Sequence, residues 1–193
     1  MATVNLQSEP ELPIRPKANT GDGGHDGQAV SLHQYLNTTY HPDCDYIDGQ
    51  LQERNLGEYD HARLQGEILF VLRSHAAEWG ITALPELRLQ ISASNYRIPD
   101  VMVLLAGHKI DRIVRDAPLL CIEILSPEDT WKRLHEKVTD YLRIGVQHIW
   151  AFDPDSREAY LCDSNGFHKV TTPDLIIPNT PIRVTLEDIF SGA

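Results

Sequence analysis

Apolar residues recur at three- and four-residue steps in two long segments, which is the pattern of amphipathic helices. The first segment is Asp60–Trp79, capped by its first residue and followed by Gly80. The second is Thr130–Ile144, with Asp129 as an alternative start and Gly145 after its end. Capping residues before each segment and glycine after it predict two helices with one buried face each.

Between and after these helices the apolar pattern is that of β-strands. Leu87–Ile91 alternates with period two, whereas Tyr96–Leu105 and Leu119–Leu125 are nearly continuous apolar runs, as in strands covered on both faces. HIWAFD, EAYLCD and FHKVTT predict further strands, and the pair Asp48-Gly49 predicts an earlier hairpin. The order helix, three strands, helix, strand predicts an α/β fold, with one mixed sheet flanked by helices and additional hairpins.

The two ends of the chain differ in pattern. Residues 1–27 contain several prolines and the cluster TGDGGHDG, with little periodicity, which predicts a flexible leader. SLHQYLNTTY predicts a short helix or turn, and PIRVTLEDIF a last strand and helical turn. With 193 residues in total, the chain is expected to form one domain over residues 28–193.

Composition narrows the class of protein. The chain is 41% hydrophobic and 23% charged, and no stretch approaches the ~18 unbroken apolar residues of a membrane span. It has 17 Lys+Arg against 28 Asp+Glu, a net charge of −11, which counts against a protein that coats DNA tightly. The N-terminus lacks a secretory signal pattern, and three scattered cysteines favour a reducing cytoplasm.

Two acidic residues interrupt the apolar strands. Asp100 follows Pro99 within Tyr96–Leu105, and Glu123 lies within Leu119–Leu125. Because side chains alternate along a strand, the two carboxylates converge if these strands are neighbours. A buried, unpaired carboxylate costs several kcal/mol, so each requires a cation, a proton or an exposed edge.

The helices offer partners for these acids. At about 100° per residue, the apolar stripe of the second helix contains Trp131, Leu134, Val138, Tyr141 and Gly145. The far side of that helix is expected to hold Lys132, Arg133, Glu136, Asp140 and Arg143. Lys137 lies at the border of the stripe and can reach toward the acids, and His61 on the first helix also points inward. Two carboxylates and a lysine suit Mg²⁺-assisted attack on a phosphate.

The order of these elements and the two strand acids resemble the PD-(D/E)XK nucleases, and more narrowly the Uma-two-type restriction endonucleases. The matching pieces run from about Val30 to the C-terminus: YIDGQL, His61, YRIPDVMVL, LLCIEILSP and KVTDYLRIGVQHIWAFDP. The resemblance implies a restriction-endonuclease-like fold and Mg²⁺-dependent (or Mn²⁺-dependent) hydrolysis of nucleic acid, DNA in the first place. It also implies a cytoplasmic homodimer without membrane attachment.

Carried over to this chain, the resemblance implies Asp100 and Glu123 as metal ligands, with the main-chain carbonyl of Ile124 as a third. The wider nuclease pattern has lysine two places after the glutamate, where this chain has Leu125. In the narrower group a lysine on the following helix takes that role, which implies Lys137 here. His61 and Tyr141 are candidate substrate or supporting residues.

Two other functions remain open from the sequence. The fold can serve as a catalytically inactive interaction or regulatory module, in which Asp100 and Glu123 form salt bridges with Lys137 and nearby arginines such as Arg97. The chain can also be a metal-dependent hydrolase of a phosphoester outside nucleic acid. Asp100→Asn is expected to destabilise a purely structural network, but to be neutral or stabilising in a metal-free metal site.

Overall fold

The computed structural model describes residues 24–54, 58–109, 111–126 and 129–191. The helices in these ranges are α1 (Leu32–Leu36), α2 (Tyr59–Ser74), α3 (Ala76–Trp79), α4 (Trp131–Arg143) and α5 (Leu186–Phe190). The strands up to α4 are β1 (Cys44–Ile47), β2 (Gln50–Glu53), β3 (Ile81–Pro85), β4 (Leu89–Gln90), β5 (Asn95–Arg97), β6 (Val101–Leu105) and β7 (Leu120–Ile124). The later strands are β8 (His148–Asp153), β9 (Glu158–Asp163), β10 (Gly166–Lys169), β11 (Asp174–Ile176) and β12 (Arg183–Thr185).

The largest sheet has six strands in the order β10-β9-β8-β7-β6-β3. Strands β7 and β8 are parallel, and the other neighbours in this sheet are antiparallel. A parallel pair needs a crossover connection, which α4 supplies between β7 and β8. The predicted α/β class, with a mixed sheet flanked by helices, is confirmed.

Helices cover both faces of the six-stranded sheet. On one face, Leu64, Ile68 and Leu72 of α2 share a core with the even-numbered residues of β7 and with α5. On the other face, the apolar side of α4 packs against Cys121 of β7 and against Met102 and Leu104 of β6. This double coverage explains why β6 and β7 read as continuous apolar runs.

A second sheet, in the order β2-β1-β5-β4, packs with α1 around a small aromatic core. Its β1–β2 turn has positive φ at Asp48 (47°) and Gly49 (88°), which confirms the predicted hairpin. Residues 1–23 of the predicted leader lie outside the described residues, while the amide of Gly27 donates to the Leu51 carbonyl at 2.8 Å. A third sheet pairs β11 with β12.

The predicted strand Tyr96–Leu105 is wrong as a single element. It divides into β5 and β6, which belong to different sheets, so Tyr96 and Met102 pack in different cores. The break falls at Pro99, which has no N–H to donate and restricts the residue before it. Besides β7, the strand that pairs with β6 is β3, which the sequence analysis did not predict. The predicted strand Leu87–Ile91 does not take this place.

The predicted helix Asp60–Trp79 is interrupted. It consists of α2 and α3 with His75 between them, and the N-cap of α2 is Glu58 and not Asp60. Gly80 ends α3 with φ of 63°, as its position after the apolar pattern predicted. Helix α4 agrees with its prediction, with Thr130 as N-cap and Ile144 as C-cap. Within the described ranges, no helix combines the length and apolarity that a bilayer crossing requires.

Candidate active site

Asp100 and Glu123 lie side by side across two strands. The β6–β7 register pairs Val101 with Ile122, so its continuation by one residue places Asp100 opposite Glu123. Both residues lie on the sheet face that α4 covers, because Met102 and Cys121, two places away on each strand, pack there. Each is only 2% exposed, so the predicted convergence of two buried acids is found.

Glu123 contacts two side chains of α4. Lys137 Nζ donates to Glu123 Oε2 at 2.6 Å, and the Tyr141 hydroxyl donates to Glu123 Oε1. Burial raises the pKa of Glu123; Lys137 opposes the shift and Asp100 adds to it. Burial lowers the pKa of Lys137, but Glu123 and the neighbouring acids Asp45 and Asp100 outweigh burial and raise it, so the ammonium stays charged at neutral pH.

Asp100 has its own set of donors. Its Oδ1 accepts from the Arg54 guanidinium, its Oδ2 accepts from the Ile124 amide at 2.7 Å, and His61 Nε2 lies 3.4 Å from Oδ2. Burial works to raise the pKa of Asp100, but Arg54 and His61 outweigh it and hold the pKa far below the usual range. The carboxylate is therefore ionised at neutral pH.

A narrow cleft that is open to solvent lies over these residues. The side chains and backbone that line it are Arg54, His61, Asp100, Ile124, Ser126, Asp129, Arg133 and Lys137. Glu123 lies behind the lining, where Lys137 and Tyr141 hold it. Arg54, Lys137 and Arg133 bring three permanent positive charges to the cleft, and Asp100, Asp129 and the adjoining Glu123 bring three carboxyl groups. The cleft therefore has no clear excess of positive charge, and the acidic composition still counts against tight binding of nucleic acid.

The donor set of this cleft fits Mg²⁺ or Mn²⁺. Asp100 and Ile124 line it and Glu123 adjoins it, which supplies two carboxylates and one carbonyl, all hard oxygen donors. Within the described ranges, no group of three or more His, Cys, Asp or Glu side chains is placed to hold a metal. Mg²⁺ needs only one or two protein carboxylates and keeps several waters.

The predicted site residues come together in this cleft. Asp100, Glu123, Ile124, Lys137 and Tyr141 are linked by direct contacts, and His61 joins them through Asp100. Leu125, at the lysine position of the wider nuclease pattern, instead continues the sheet, its amide donating to the Phe152 carbonyl at 2.8 Å. The Lys137 ammonium therefore reaches the glutamate from the helix, as the resemblance implies.

Two residues predicted on the far side of the second helix are not there. Arg133 lines the cleft and donates to the Glu53 carbonyl, and Asp140 is 6% exposed and accepts from Arg97. Trp131, predicted on the buried stripe, is 49% exposed beside Phe167. The second sheet, which the sequence did not predict as a separate layer, covers the helix side that carries Arg133 and Asp140.

A buried network next to the cleft was also missed. Arg97 donates to Asp140 Oδ2 at 2.8 Å, to Asp45 Oδ2 at 3.0 Å and to Gln52 Oε1 at 2.9 Å. The second Asp45 oxygen accepts from the Ile98 amide at 2.9 Å. Arg97 therefore does not pair with Asp100, contrary to the pairing suggested for the inactive module. The cation that pairs with Asp100 is Arg54. This network joins the second sheet to α4 beside the candidate site.

The chain is similar to known proteins in sequence and in fold. Residues 31–190 match the Uma2 family, described as "Putative restriction endonuclease". No curated protein matches the chain. A solved structure described as a putative nuclease belonging to DUF820, from Anabaena variabilis ATCC 29413, superposes with a TM-score of 0.72 at 23% identity. The alignment covers 84% of this chain and 98% of that chain, and shows that the fold is shared.

The cryo-EM structure of a DrdV–DNA complex matches more weakly. Its TM-score is 0.37 at 17% identity, over 63% of this chain and 10% of that chain, which is too low to support an argument. The family match, in contrast, spans the helices, strands and cleft residues described above. The chain belongs to the Uma2 family of putative restriction endonucleases.

Proposed function

We propose that this chain is a metal-dependent endonuclease that hydrolyses phosphodiester bonds in nucleic acid, with DNA as its substrate. The observation that carries the proposal is the 2.6 Å contact between Lys137 Nζ and Glu123 Oε2, beside Asp100 on the neighbouring strand. It joins two strand carboxylates and one helix ammonium at an open cleft. A nuclease-type structure with a similar fold supports the same class of reaction.

Asp100, Glu123 and the Ile124 carbonyl would hold Mg²⁺ or Mn²⁺. The ion, when bound, supplies Lewis-acid stabilisation of the phosphate and a lower pKa for a coordinated water. A carboxylate oxygen that accepts one hydrogen bond keeps a lone pair for a second partner, so the contacts to Lys137 and Tyr141 are compatible with ligation. The Tyr141 hydroxyl fixes the direction of the glutamate from the α4 side.

Lys137 supplies the positive charge that the reaction needs beside the phosphate. Its ammonium has three donors, of which the described contact with Glu123 uses one. The remaining donors can orient the attacking water and stabilise charge that develops on the phosphate oxygens. Arg54, held in the cleft by Asp100, adds further positive charge near the same oxygens, and the His61 imidazole lies beside the same carboxylate.

A second function has a specific observation in its favour. Both oxygens of Asp100 and both oxygens of Glu123 accept hydrogen bonds from protein donors, so the acids form a satisfied network without an ion. Such a network would suit a catalytically inactive module that binds a partner. Stability without metal is a poor discriminator, because Asp100→Asn leaves the buried Arg54 guanidinium with only its longer ion pair to Glu86, at 3.6 Å, in either case.

Cleavage of supercoiled plasmid and of single-stranded DNA tests the proposal. Wild type is incubated with Mg²⁺, Mn²⁺ or EDTA beside Asp100→Asn and Lys137→Ala, with Lys132→Ala as the matched control. Lys132 lies on the same helix with its side chain 88% exposed. Metal-dependent nicking that both site variants lose and Lys132→Ala retains is the expected result. Nicking that persists in EDTA, or in Asp100→Asn, would overturn the proposal.

A homodimer in a reducing, cytoplasmic setting is proposed with this function. The three cysteines are buried and free, which is compatible with a reducing compartment. A dimer would let two clefts act on two strands of one duplex. Light scattering of the purified chain is expected to give twice its 21.8 kDa mass, and a monomer at all concentrations would contradict the dimer.

A further inference from the structure

Arg133 differs from the other permanent cations of the cleft in its partners. Arg54 forms an ion pair with Asp100, and Lys137 forms one with Glu123. Among the described residues, no carboxylate lies within ion-pair distance of Arg133, whose guanidinium donates to the main-chain carbonyl of Glu53. Its positive charge is therefore not neutralised by the part of the chain that the structure describes.

One donor of Arg133 is also unused. Its Nε is buried and has no hydrogen-bond partner among the described residues. A buried guanidinium N–H without an acceptor costs free energy, and such a group in a native structure calls for a partner. Because Nε is itself inaccessible, a ligand in the cleft that Arg133 lines would meet the terminal N–H groups of the guanidinium, and an anionic acceptor suits them.

The position of Arg133 relative to Lys137 supports this interpretation. The two residues are four apart on α4, so they lie on the same side of the helix, one turn from each other. One turn is about 5.4 Å of helix rise, which is close to the separation of neighbouring phosphates along a nucleic-acid strand. The guanidinium fork is suited to a phosphate group, to which it can donate two parallel hydrogen bonds.

We propose that Arg133 binds a backbone phosphate adjacent to the scissile phosphate, and so fixes the position of the strand in the cleft. This inference rests on the proposed nuclease function, because it takes the anion to be a nucleic-acid phosphodiester. Arg133 contacts substrate one helical turn from Lys137, and the Glu53 carbonyl holds its guanidinium in place. Arg54 and Lys137, which are paired with carboxylates, act on the scissile phosphate. Arg133 acts on the phosphate next to it.

DNA binding measured against salt concentration tests the inference. Fluorescence anisotropy with a labelled oligonucleotide, single-stranded and duplex, is run in Ca²⁺ for wild type, Arg133→Gln, Arg133→Lys and Lys132→Gln. Lys132→Gln removes the same charge from the adjacent, exposed position of the same helix. Loss of one phosphate contact is expected to weaken binding about tenfold and to lower the slope of log K against log salt by about 1.

The two Arg133 variants separate substrate contact from folding. Arg133→Gln also loses the hydrogen bond from the guanidinium to the Glu53 carbonyl, which can affect folding. Thermal melting is therefore recorded for every variant. Arg133→Lys keeps the charge but loses the fork, and is expected to keep the salt slope while binding more weakly. Lys132→Gln is expected to bind like wild type.

The possible outcomes distinguish the two proposals. If wild type cleaves DNA and folded Arg133→Gln binds with the wild-type affinity and salt slope, the role of Arg133 is wrong and the nuclease function stands. If Lys132→Gln weakens binding as much as Arg133→Gln, the effect is one of net charge and the role of Arg133 is also wrong. If wild type neither binds nor cleaves DNA and takes up no Mn²⁺, both proposals fall.

Discussion

Lys137 and Glu123 are 14 residues apart in the sequence, and their charged atoms lie 2.6 Å apart. The glutamate is 2% exposed at its side chain and the lysine 12%, so the pair is shielded from solvent. In the wider nuclease pattern the lysine follows the glutamate on the same strand. In this chain, α4 packs over β7 and places the ammonium of Lys137 next to the glutamate.

Removal of Lys137 is expected to affect both activity and folding. Lys137→Ala leaves Glu123 buried without its counter-ion, which typically costs about 3–5 kcal/mol of unfolding free energy. Cleavage is expected to fall by about 100-fold or more, as for loss of one preorganised donor. Urea unfolding and a nicking assay measure the two effects, with Lys132→Ala as control. A folded Lys137→Ala protein with wild-type activity would contradict the assigned role.

Arg54 is expected to oppose metal binding, because it occupies the same carboxylate that would hold the ion. Arg54→Gln removes this competing cation from Asp100 Oδ1 and should raise Mn²⁺ affinity about tenfold, equivalent to one pKa unit of charge interaction. Calorimetric titration of both proteins checks the direction. An Arg54→Gln protein that melts as a folded domain and binds Mn²⁺ more weakly than wild type would contradict this prediction.

The His61 imidazole reports on the charge of Asp100. Burial lowers the pKa of His61, but the contact with Asp100 outweighs it and the net pKa is raised. Asp100→Asn removes the two largest raising contributions and leaves burial and Arg54, which lower the pKa, against the smaller raising effect of Glu123. NMR titration is therefore expected to give a His61 pKa above the usual value in wild type and a clearly lower pKa in Asp100→Asn. An unchanged pKa would show that the two side chains do not interact.

The same shift gives a pH dependence of stability. A pKa raised in the folded state contributes stability that is complete below the unfolded pKa and is lost as pH rises through the folded pKa. Asp100 stays ionised in that window, because its own pKa is lowered. His61→Asn is therefore expected to destabilise the protein most at mildly acidic pH, and to match wild type at alkaline pH. A destabilisation that grows with rising pH would contradict the assignment.

The Arg97 network is predicted to be structural and independent of metal. Arg97→Gln leaves Asp45 and Asp140 buried without their shared counter-ion, so the loss of unfolding free energy is expected to be about 3–5 kcal/mol. Thermal melting in EDTA and in Mn²⁺ should show the same destabilisation relative to wild type. A deficit that Mn²⁺ removes would place this network in the metal site itself.

The two site acids could be predicted because strand geometry is a local property. Alternation placed Asp100 and Glu123 on one face of neighbouring strands, and the helical period placed Lys137 at the border of its apolar stripe. Neither deduction required knowledge of how the sheets pack. Pro99 was the local signal that should have divided the predicted strand, since proline seldom occupies the interior of a central strand.

Of the two arginines in the cleft, Arg133 could have been predicted from the helical period, but Arg54 could not. Arg133 is four residues before Lys137 and only about 40° away around the helix, so the period alone could have placed it beside the lysine. Arg54 follows the β1–β2 hairpin, and its contact with Asp100 depends on how the second sheet packs against the six-stranded sheet. That packing, like the Arg97 network that joins the second sheet to α4, is a tertiary property without a periodic signal.

Titration with Mn²⁺ tests the central claim, that Asp100 and Glu123 hold a divalent cation, most directly. Wild type, Asp100→Asn and Asp116→Asn are compared by calorimetry and by melting temperature; the Asp116 side chain is 84% exposed and serves as the matched control. We predict one ion per chain and metal-dependent stabilisation in wild type and Asp116→Asn, with both lost in Asp100→Asn. No uptake by wild type at millimolar Mn²⁺, or equal uptake by Asp100→Asn, would contradict the account and favour the inactive module.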